Sequence, residues 1–450
     1  MPLITTIRPV LPVVEPIGQS ERIPILDSLR GIAILGILLM NIQGFGLPHL
    51  LVFDVSILNE TGLNYYAWYI FGPGVFEGSM RAIFSMLFGA GTIIFISRLE
   101  IRMKHLKPIG IFFRRQVWLA FFGLLNTYVL LWSWDILLPY AICGLLVLPF
   151  RRLKPRYLLL AASIGLVLIT INENLQLYTQ KATISKGEKL TAIDTSIRKL
   201  TATDRDDLAA LNKIKQQSNP EQKKKKVEEQ IAEVRRSYVG LFRYRREVRT
   251  DEEAKSMYSF LTWDILLFMF LGMVFFKTGI FHGEVKTRFY LWLAVLGLGI
   301  GIPLSYLYLK PDLQYHYNHF EIVKNRQFAF YELQRLVHSL GIFGLIMVIY
   351  KSGRFKWLFT IMRPVGQMAF TNYLMQSLLC GLFFYGVGFG MFGELQRFEL
   401  YYVVVVVWLI EIVWSNLWLK YFRFGPFEWT WRSLTYWKLQ PMKKSSARSA

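Results

Sequence analysis

The sequence has little of what secreted scaffolds and nucleotide-driven machines are built from. Only two of its 450 residues are cysteine, Cys143 and Cys380. Both fall inside long apolar runs, so neither a disulfide framework nor a cysteine zinc site can be assembled. No G-x-x-x-x-G-K-[S/T] loop occurs, which excludes pumping driven through a phosphate-cradling loop. The first 24 residues hold five prolines and no short apolar core ahead of a small-residue cleavage site, so no removed leader is expected. His316 and His319 stand three apart without a paired Cys or Glu motif, and no metal is expected. Residues 41–77 contain no Lys or Arg at all.

What is abundant is apolar surface. Hydrophobic residues make up 53% of the chain and aromatics 16%, and the mean hydropathy is +0.33. Several nearly uncharged stretches approach the roughly 20 residues that cross a ~30 Å hydrocarbon core. Ten spans are expected, near 29–47, 78–97, 116–133, 136–150, 157–174, 259–277, 289–309, 333–350, 365–390 and 400–420. The fourth is short, and 63–76, with Tyr65, Tyr66, Trp68 and Tyr69, reads as an interfacial aromatic segment. The expected fold is all-α: a polytopic transmembrane helical bundle of about ten spans with an extramembrane helical hairpin.

The net charge of +21 does not mark a nucleic-acid binder, because the basic residues sit in short connectors and no base-reading face accompanies them. They are topology signals instead. Connector 98–115 holds Arg98, Arg102, Lys104, Lys107, Arg114 and Arg115; 151–156 and 351–363 are basic too. Both termini are therefore expected in the cytoplasm. The chain divides into 1–24 (cytoplasmic), 25–174 (spans one to five), 175–258 (extracytoplasmic hairpin), 259–422 (spans six to ten) and 423–450 (cytoplasmic tail). Segment 175–258 carries 19 Lys and Arg, which long translocated segments tolerate. Leu190, Ile193, Ile197, Leu200 and then Leu208, Leu211, Ile214 recur at helical steps, and Asn219-Pro220 breaks the pattern before a second helix over 221–248. The ordinary role of such charged helices is a solvated spacer.

Ionisable groups inside spans cost at least ~2.5–3.5 kcal/mol on insertion scales and ask for a reason. Asp27 and Arg30 have the spacing of a helical pair, as do Glu77 and Arg81. Gly89 and Gly91 would let another helix approach. Asn372 and Gln376 suit helix bridging, and Glu411 is expected to face the bundle interior. Trp134-Asp135-Ile136-Leu137-Leu138 is echoed by Trp263-Asp264-Ile265-Leu266-Leu267, either chance or a trace of duplicated halves. Asn41 and His49 lie near the outer surface. A neutral His there could act as a general base and Asn41 as an oxyanion donor, although a solvated His is the commoner case.

Several runs resemble the YeiB-like bacterial membrane proteins, labelled domain of unknown function 418. They are Leu26 to Ile37 ending in Asn41, Phe84 to Gly91, Asp135-Ile136-Leu137, Gly366 to Tyr373 with Gln376-Ser377, and Gly425 to Trp429 with Glu428 and Arg432. The resemblance covers about 22–174 and 258–440. It implies the bacterial inner membrane and a grouping with transmembrane acyltransferases. In a lysosomal N-acetyltransferase of that grouping, an Asp-x-x-Arg-Gly opening is followed by an Asn and a His on the far side from the acyl-CoA pool; Asn41 matches by position and His49 by a shorter spacing. The leading expectation is thus acyl transfer from cytoplasmic acyl-CoA, a co-substrate rather than a resident cofactor, to a carbohydrate or envelope acceptor. His49 would be the base and Asn41 the orienter. Asp27, Arg30, Glu77, Arg81, Asp135, Asp264, Asn372, Gln376, Glu428 and Arg432 would support the cavity. The rivals are a small-solute carrier and a non-catalytic scaffold using the outer hairpin. The lipid bilayer is the expected partner, with a homo-oligomer open.

Overall fold

The computed structural model describes residues 23–103, 107–193, 200–248 and 251–444. The N-terminal segment to residue 22, Lys104, Ile197 and the tail beyond 444 lie outside them. The described helices are α1 Pro24–Gly46, α2 His49–Phe53, α3 Gly62–Tyr69, α4 Ser79–Arg102, α5 Lys107–Tyr128, α6 Leu137–Val147, α7 Pro155–Thr191, α8 Ala202–Gln217, α9 Pro220–Arg236, α10 Tyr238–Val248, α11 Asp251–Lys277, α12 Thr287–Gln314, α13 His319–Asn325, α14 Tyr331–Ser352, α15 Lys356–Gln367, α16 Ala369–Phe384, α17 Leu400–Tyr421 and α18 Pro426–Tyr436. Among the described residues the sole β pairing is an isolated bridge between Phe422 and Lys443.

Seven of the helical stretches are long and apolar enough to cross a membrane. Their outward faces carry the signature of lipid as solvent. Leu159, Leu160 and Ile164 on α7, Trp292, Val295 and Leu296 on α12, and Val405, Val406, Leu409 and Val413 on α17 are all exposed. Contiguous apolar stripes of this size are not left bare to water. The chain is a multi-pass membrane protein. Three expected spans take less regular forms: α6 is short and ends in a 3₁₀ turn at Leu148–Arg152, α11 begins at Asp251, and 365–390 breaks into α15 and α16 at Met368. The break falls at Met368, whose φ of −108° and ψ of 24° depart from the helical range.

Two close crossings set the frame. α1 packs on α15 where a Cβ on Gly31 would strike the Met362 carbonyl and one on Gly366 the Asp27 carbonyl. α4 meets α11 in the same way at Gly89 and Gly272, whereas Gly91 has open space beside it. Only glycine lets backbones approach this closely.

Helices α8 to α10, with the end of α7, differ from a solvated spacer. α7 runs without interruption through residue 174 to Thr191, so the first arm continues a span. Asn219 caps α9, its side chain accepting from the Glu221 and Gln222 amides. Val227, Val234 and Leu241 are 5%, 1% and 1% exposed and belong to the main apolar core. Lys223 reaches Asp54 (2.7 Å) and the Tyr317 carbonyl (2.8 Å), and Arg235 Nε donates to the Phe392 carbonyl at 2.6 Å. The second arm is a cap docked on the bundle, because its apolar stripe buries against α2 and the 385–394 loop.

Candidate anion-binding cavity

The crossing of α1 and α15 brings the break before α16 beside the first turn of α1. Asp27 and Arg30 form an ion pair at 3.0 Å, and Gln367 Nε2 donates to Asp27 Oδ2 at 3.3 Å. The amides that start α16 have no intrahelical acceptor, and a carboxylate from the far end of the chain supplies one. Glu428 Oε1 accepts from the Phe370 and Thr371 amides at 2.7 and 3.0 Å, and Oε2 accepts from the Thr371 hydroxyl at 2.5 Å. This trans-cap fastens α18 to α16 and carries Trp431 and Arg432 with it. Trp431 Nε1 donates to the Arg115 carbonyl at 2.9 Å, while the Arg115 guanidinium lies 3.7 Å over the Trp431 ring and 4.8 Å over Phe95.

These groups enclose a cavity of about 230 Å³. Arg30, Arg98, Arg115 and Arg432 line it against Asp27 and Glu428, an excess of two positive charges. Its remaining wall is chiefly apolar: Leu87, Phe88, Gly91, Phe112, Leu119 and Phe370 lead inward to Ile136, Leu137, Tyr140 and Tyr373. The Arg115 guanidinium, stacked on Trp431 and Phe95, lines this space, and a planar guanidinium suits an anionic partner. Gln116 lines the same space, is 1% exposed, and has neither amide atom hydrogen-bonded. An unsatisfied buried amide is costly, so a polar group of an occupant has a place there.

Asp135 stands at the inner end. Its Oδ1 accepts from Asn126 Nδ2 at 2.8 Å and its Oδ2 from the Leu137 and Leu138 amides at 2.9 and 3.2 Å. The Tyr373 hydroxyl is 3.4 Å from Oδ1. Asp135 therefore caps α6 and orients a tyrosine of the wall.

Other expected site residues lie elsewhere. Glu77 precedes α4, since Gly78 is left-handed and the helix starts at Ser79. The spacing of Glu77 and Arg81 is therefore not a helical pair. Glu77 accepts from the Tyr331 hydroxyl at 2.9 Å, and Arg81 pairs with Asp264 at 3.1 Å. Asp264 is fully buried and contacts Arg335 as well. Asn372 bridges the Val365 carbonyl, Ser415 and Trp414. Gln376 donates to Glu411 at 3.0 Å and to the Ile34 carbonyl. Neither Asn41 nor His49 lines the cavity. His49 opens α2 beneath the cap: its amide donates to Gln230 Oε1 at 3.0 Å, and its ring lies 6.0 Å from that of Trp134. The loop from Trp134 to Leu137 thus separates His49 from the apolar end of the cavity.

Arg98, Arg115, Gln116 and Trp431 are not among the site residues expected from sequence. Arg115 was read as a connector charge, yet Pro108 in the first turn of α5 is a helix-start signal that places Arg115 two turns inside. Among the described residues no group of three His, Cys, Asp or Glu could hold a metal ion.

Residues 275–438 match the sequence profile described as protein of unknown function, DUF418. Over 442 residues the chain is 28% identical to the uncharacterised protein YxaH of Bacillus subtilis, covering 96% of this chain and 98% of that one. It is also 28% identical over 449 residues to the uncharacterised protein YeiB of Escherichia coli, 95% of this chain and 100% of the relative. An uncharacterised 39.9 kDa protein from Bacillus acidopullulyticus is 26% identical over 432 residues, 94% of this chain and 96% of the relative. No solved structure matches the chain significantly.

Proposed function

Since the chain belongs to the DUF418 family, whose description names no activity, we propose a function from its geometry. It is a ten-span protein of the bacterial inner membrane, both termini cytoplasmic, that moves an acyl group from cytoplasmic acyl-CoA to a carbohydrate or envelope acceptor at the outer face. One observation carries the reading: a cavity with two surplus positive charges and largely apolar walls suits a ligand that is polyanionic at one end and an acyl chain at the other.

In this reading Arg30, Arg98, Arg115 and Arg432 take the phosphates, and the thioester end points toward Tyr140 and Tyr373. The acceptor O–H or N–H enters below the outer cap. Its heteroatom attacks the thioester carbonyl, the C–S bond breaks, and the CoA thiolate leaves. His49 takes the acceptor proton and Asn41 donates to the oxyanion. The Trp134–Asp135 loop lies between the cavity and His49 and must shift for donor and acceptor to meet. Binding of acyl-CoA to the purified chain in nanodiscs, with acceptor-dependent release of free thiol, tests the proposal. His49→Ala is expected to abolish thiol release while acyl-CoA affinity stays within about twofold. Failure of wild-type protein to bind acyl-CoA would reject the donor; equal turnover by His49→Ala would reject the base.

A further inference from the structure

A second concentration of charge lies away from the cavity, where α4, α7, α11, α12 and α14 come together. Asp264 of α11 is 0% exposed and sits 3.1 Å from Arg81 and against Arg335. Arg335 Nη2 also reaches Glu332 Oε2 at 3.1 Å. Glu332 is 0% exposed, and its second oxygen, Oε1, has no hydrogen-bond partner. Glu77 enters from the segment before α4 through the Tyr331 hydroxyl. From α7, Glu173 brings a carboxylate whose oxygens are shut off from solvent.

The charges do not balance. Four carboxylates, Glu77, Glu173, Asp264 and Glu332, face two guanidiniums, Arg81 and Arg335. The neighbouring elements supply no compensation. On α12, Asp312 is already paired with Arg326 at 2.5 Å, and Tyr308 is neutral; on α14, His338 turns to Ser305, its Nδ1 3.4 Å from Oγ. From α6 the facing group is Tyr140, whose hydroxyl lies 3.3 Å from the Arg81 carbonyl. Inside a membrane bundle an uncompensated carboxylate is dearer than a carboxyl that has taken up a proton.

We infer that this cluster is a proton-binding site, separate from the arginine-lined cavity, in which the surplus carboxylates hold protons at neutral pH, Glu332 foremost. A metal ion is the poorer occupant because no three ligating groups among the described residues converge on one point. The site is joined to the cavity by one hydroxyl. Tyr140 lines the cavity's apolar end and bonds Ser85 Oγ at 2.6 Å and the Arg81 carbonyl.

Infrared spectroscopy of the full chain in nanodiscs at pH 7 tests this. The expected spectrum contains the carbonyl band of protonated carboxyl groups, shifted in deuterated buffer. Glu332→Gln, which keeps the shape of the protonated group, should lose a component of that band, and Arg115→Gln should lose none. Glu173→Gln serves as the second variant should Glu332→Gln not fold. Glu411, the other fully buried carboxyl with an open oxygen, is subtracted with Glu411→Gln. The inference is overturned if no protonated component remains after that subtraction. It is equally overturned if the band survives both Glu332→Gln and Glu173→Gln undiminished, or if sodium or calcium at constant pH removes it.

Discussion

The bundle holds two unbalanced groups of charge, and they are unbalanced in opposite senses. The cavity between α1, α4, α5, α16 and α18 has two guanidiniums too many. Arg115 is stacked on Trp431 and Phe95, and Arg30 is 31% exposed. The cluster between α4, α7, α11, α12 and α14 has two carboxylates too many; its central Asp264, Glu332 and Arg335 are 0%, 0% and 1% exposed, with Glu77, Glu173 and Arg81 half-buried around them. Surplus charge beside an opening is available to a ligand of opposite sign. Surplus charge sealed in protein has to be neutralised where it stands. The same residue types therefore point to a binding site in one place and to a titrating site in the other, and burial decides which.

That contrast can be broken most forcefully in the sealed cluster. Replacing Arg335 by Met removes one of the two cations holding four acids. Breaking a buried pair by deleting one partner costs about 3–5 kcal/mol, so unfolding in detergent should move to markedly lower denaturant or temperature. Glu332→Gln, which removes an acid from the surplus, should be neutral or stabilising. If the two variants are equally damaging, the imbalance is not what the structure implies. In the cavity the pattern should invert. Arg115→Gln should leave the melting midpoint nearly unchanged but weaken acyl-CoA binding by about 10- to 100-fold, since a charge-assisted contact is worth ~1.5–3 kcal/mol. Titration calorimetry on folded protein separates the two effects. Loss of stability without loss of affinity would make Arg115 a purely structural residue.

How much of this could be read from the chain depends on whether a signal is local. Apolar runs are, and so the seven helical stretches long and apolar enough to cross a membrane coincide with expected spans, while α7 runs on past residue 174. The runs at Asp27–Gly31, Gly366–Tyr373 and Gly425–Arg432 were visible as motifs. That they close on one cavity was not, because the Glu428 cap on α16 joins residues 57 and 58 positions apart and nothing local announces it. Glu77 was misread because the left-handed Gly78 starts α4 two residues late, which turns an apparent i, i+4 pair into partners of other helices. Glu332 and Arg335 do have helical spacing, but at the entrance of a span they pass for a surface pair. The outer helices looked like a spacer since charge dominates α9. Three small apolar contacts, Val227, Val234 and Leu241, nonetheless bury completely enough to dock it.

The smallest expected effect lies on that cap, at an ion pair open to solvent. Glu394 is 52% exposed and meets Arg235 at 2.5 Å. Exposed pairs are worth about 0.2–1 kcal/mol and are screened by salt. Arg235 also keeps its bond to the Phe392 carbonyl, so Glu394→Gln should cost well under ~1 kcal/mol, and the difference should vanish in high salt. Limited proteolysis between α8 and α9 reads the docking directly. If Glu394→Gln frees the cap to cleavage at physiological salt, then ion pairs rather than the Val227, Val234 and Leu241 stripe hold it down. The rule that burial sets the worth of each charge would then fail where the structure offers its plainest test.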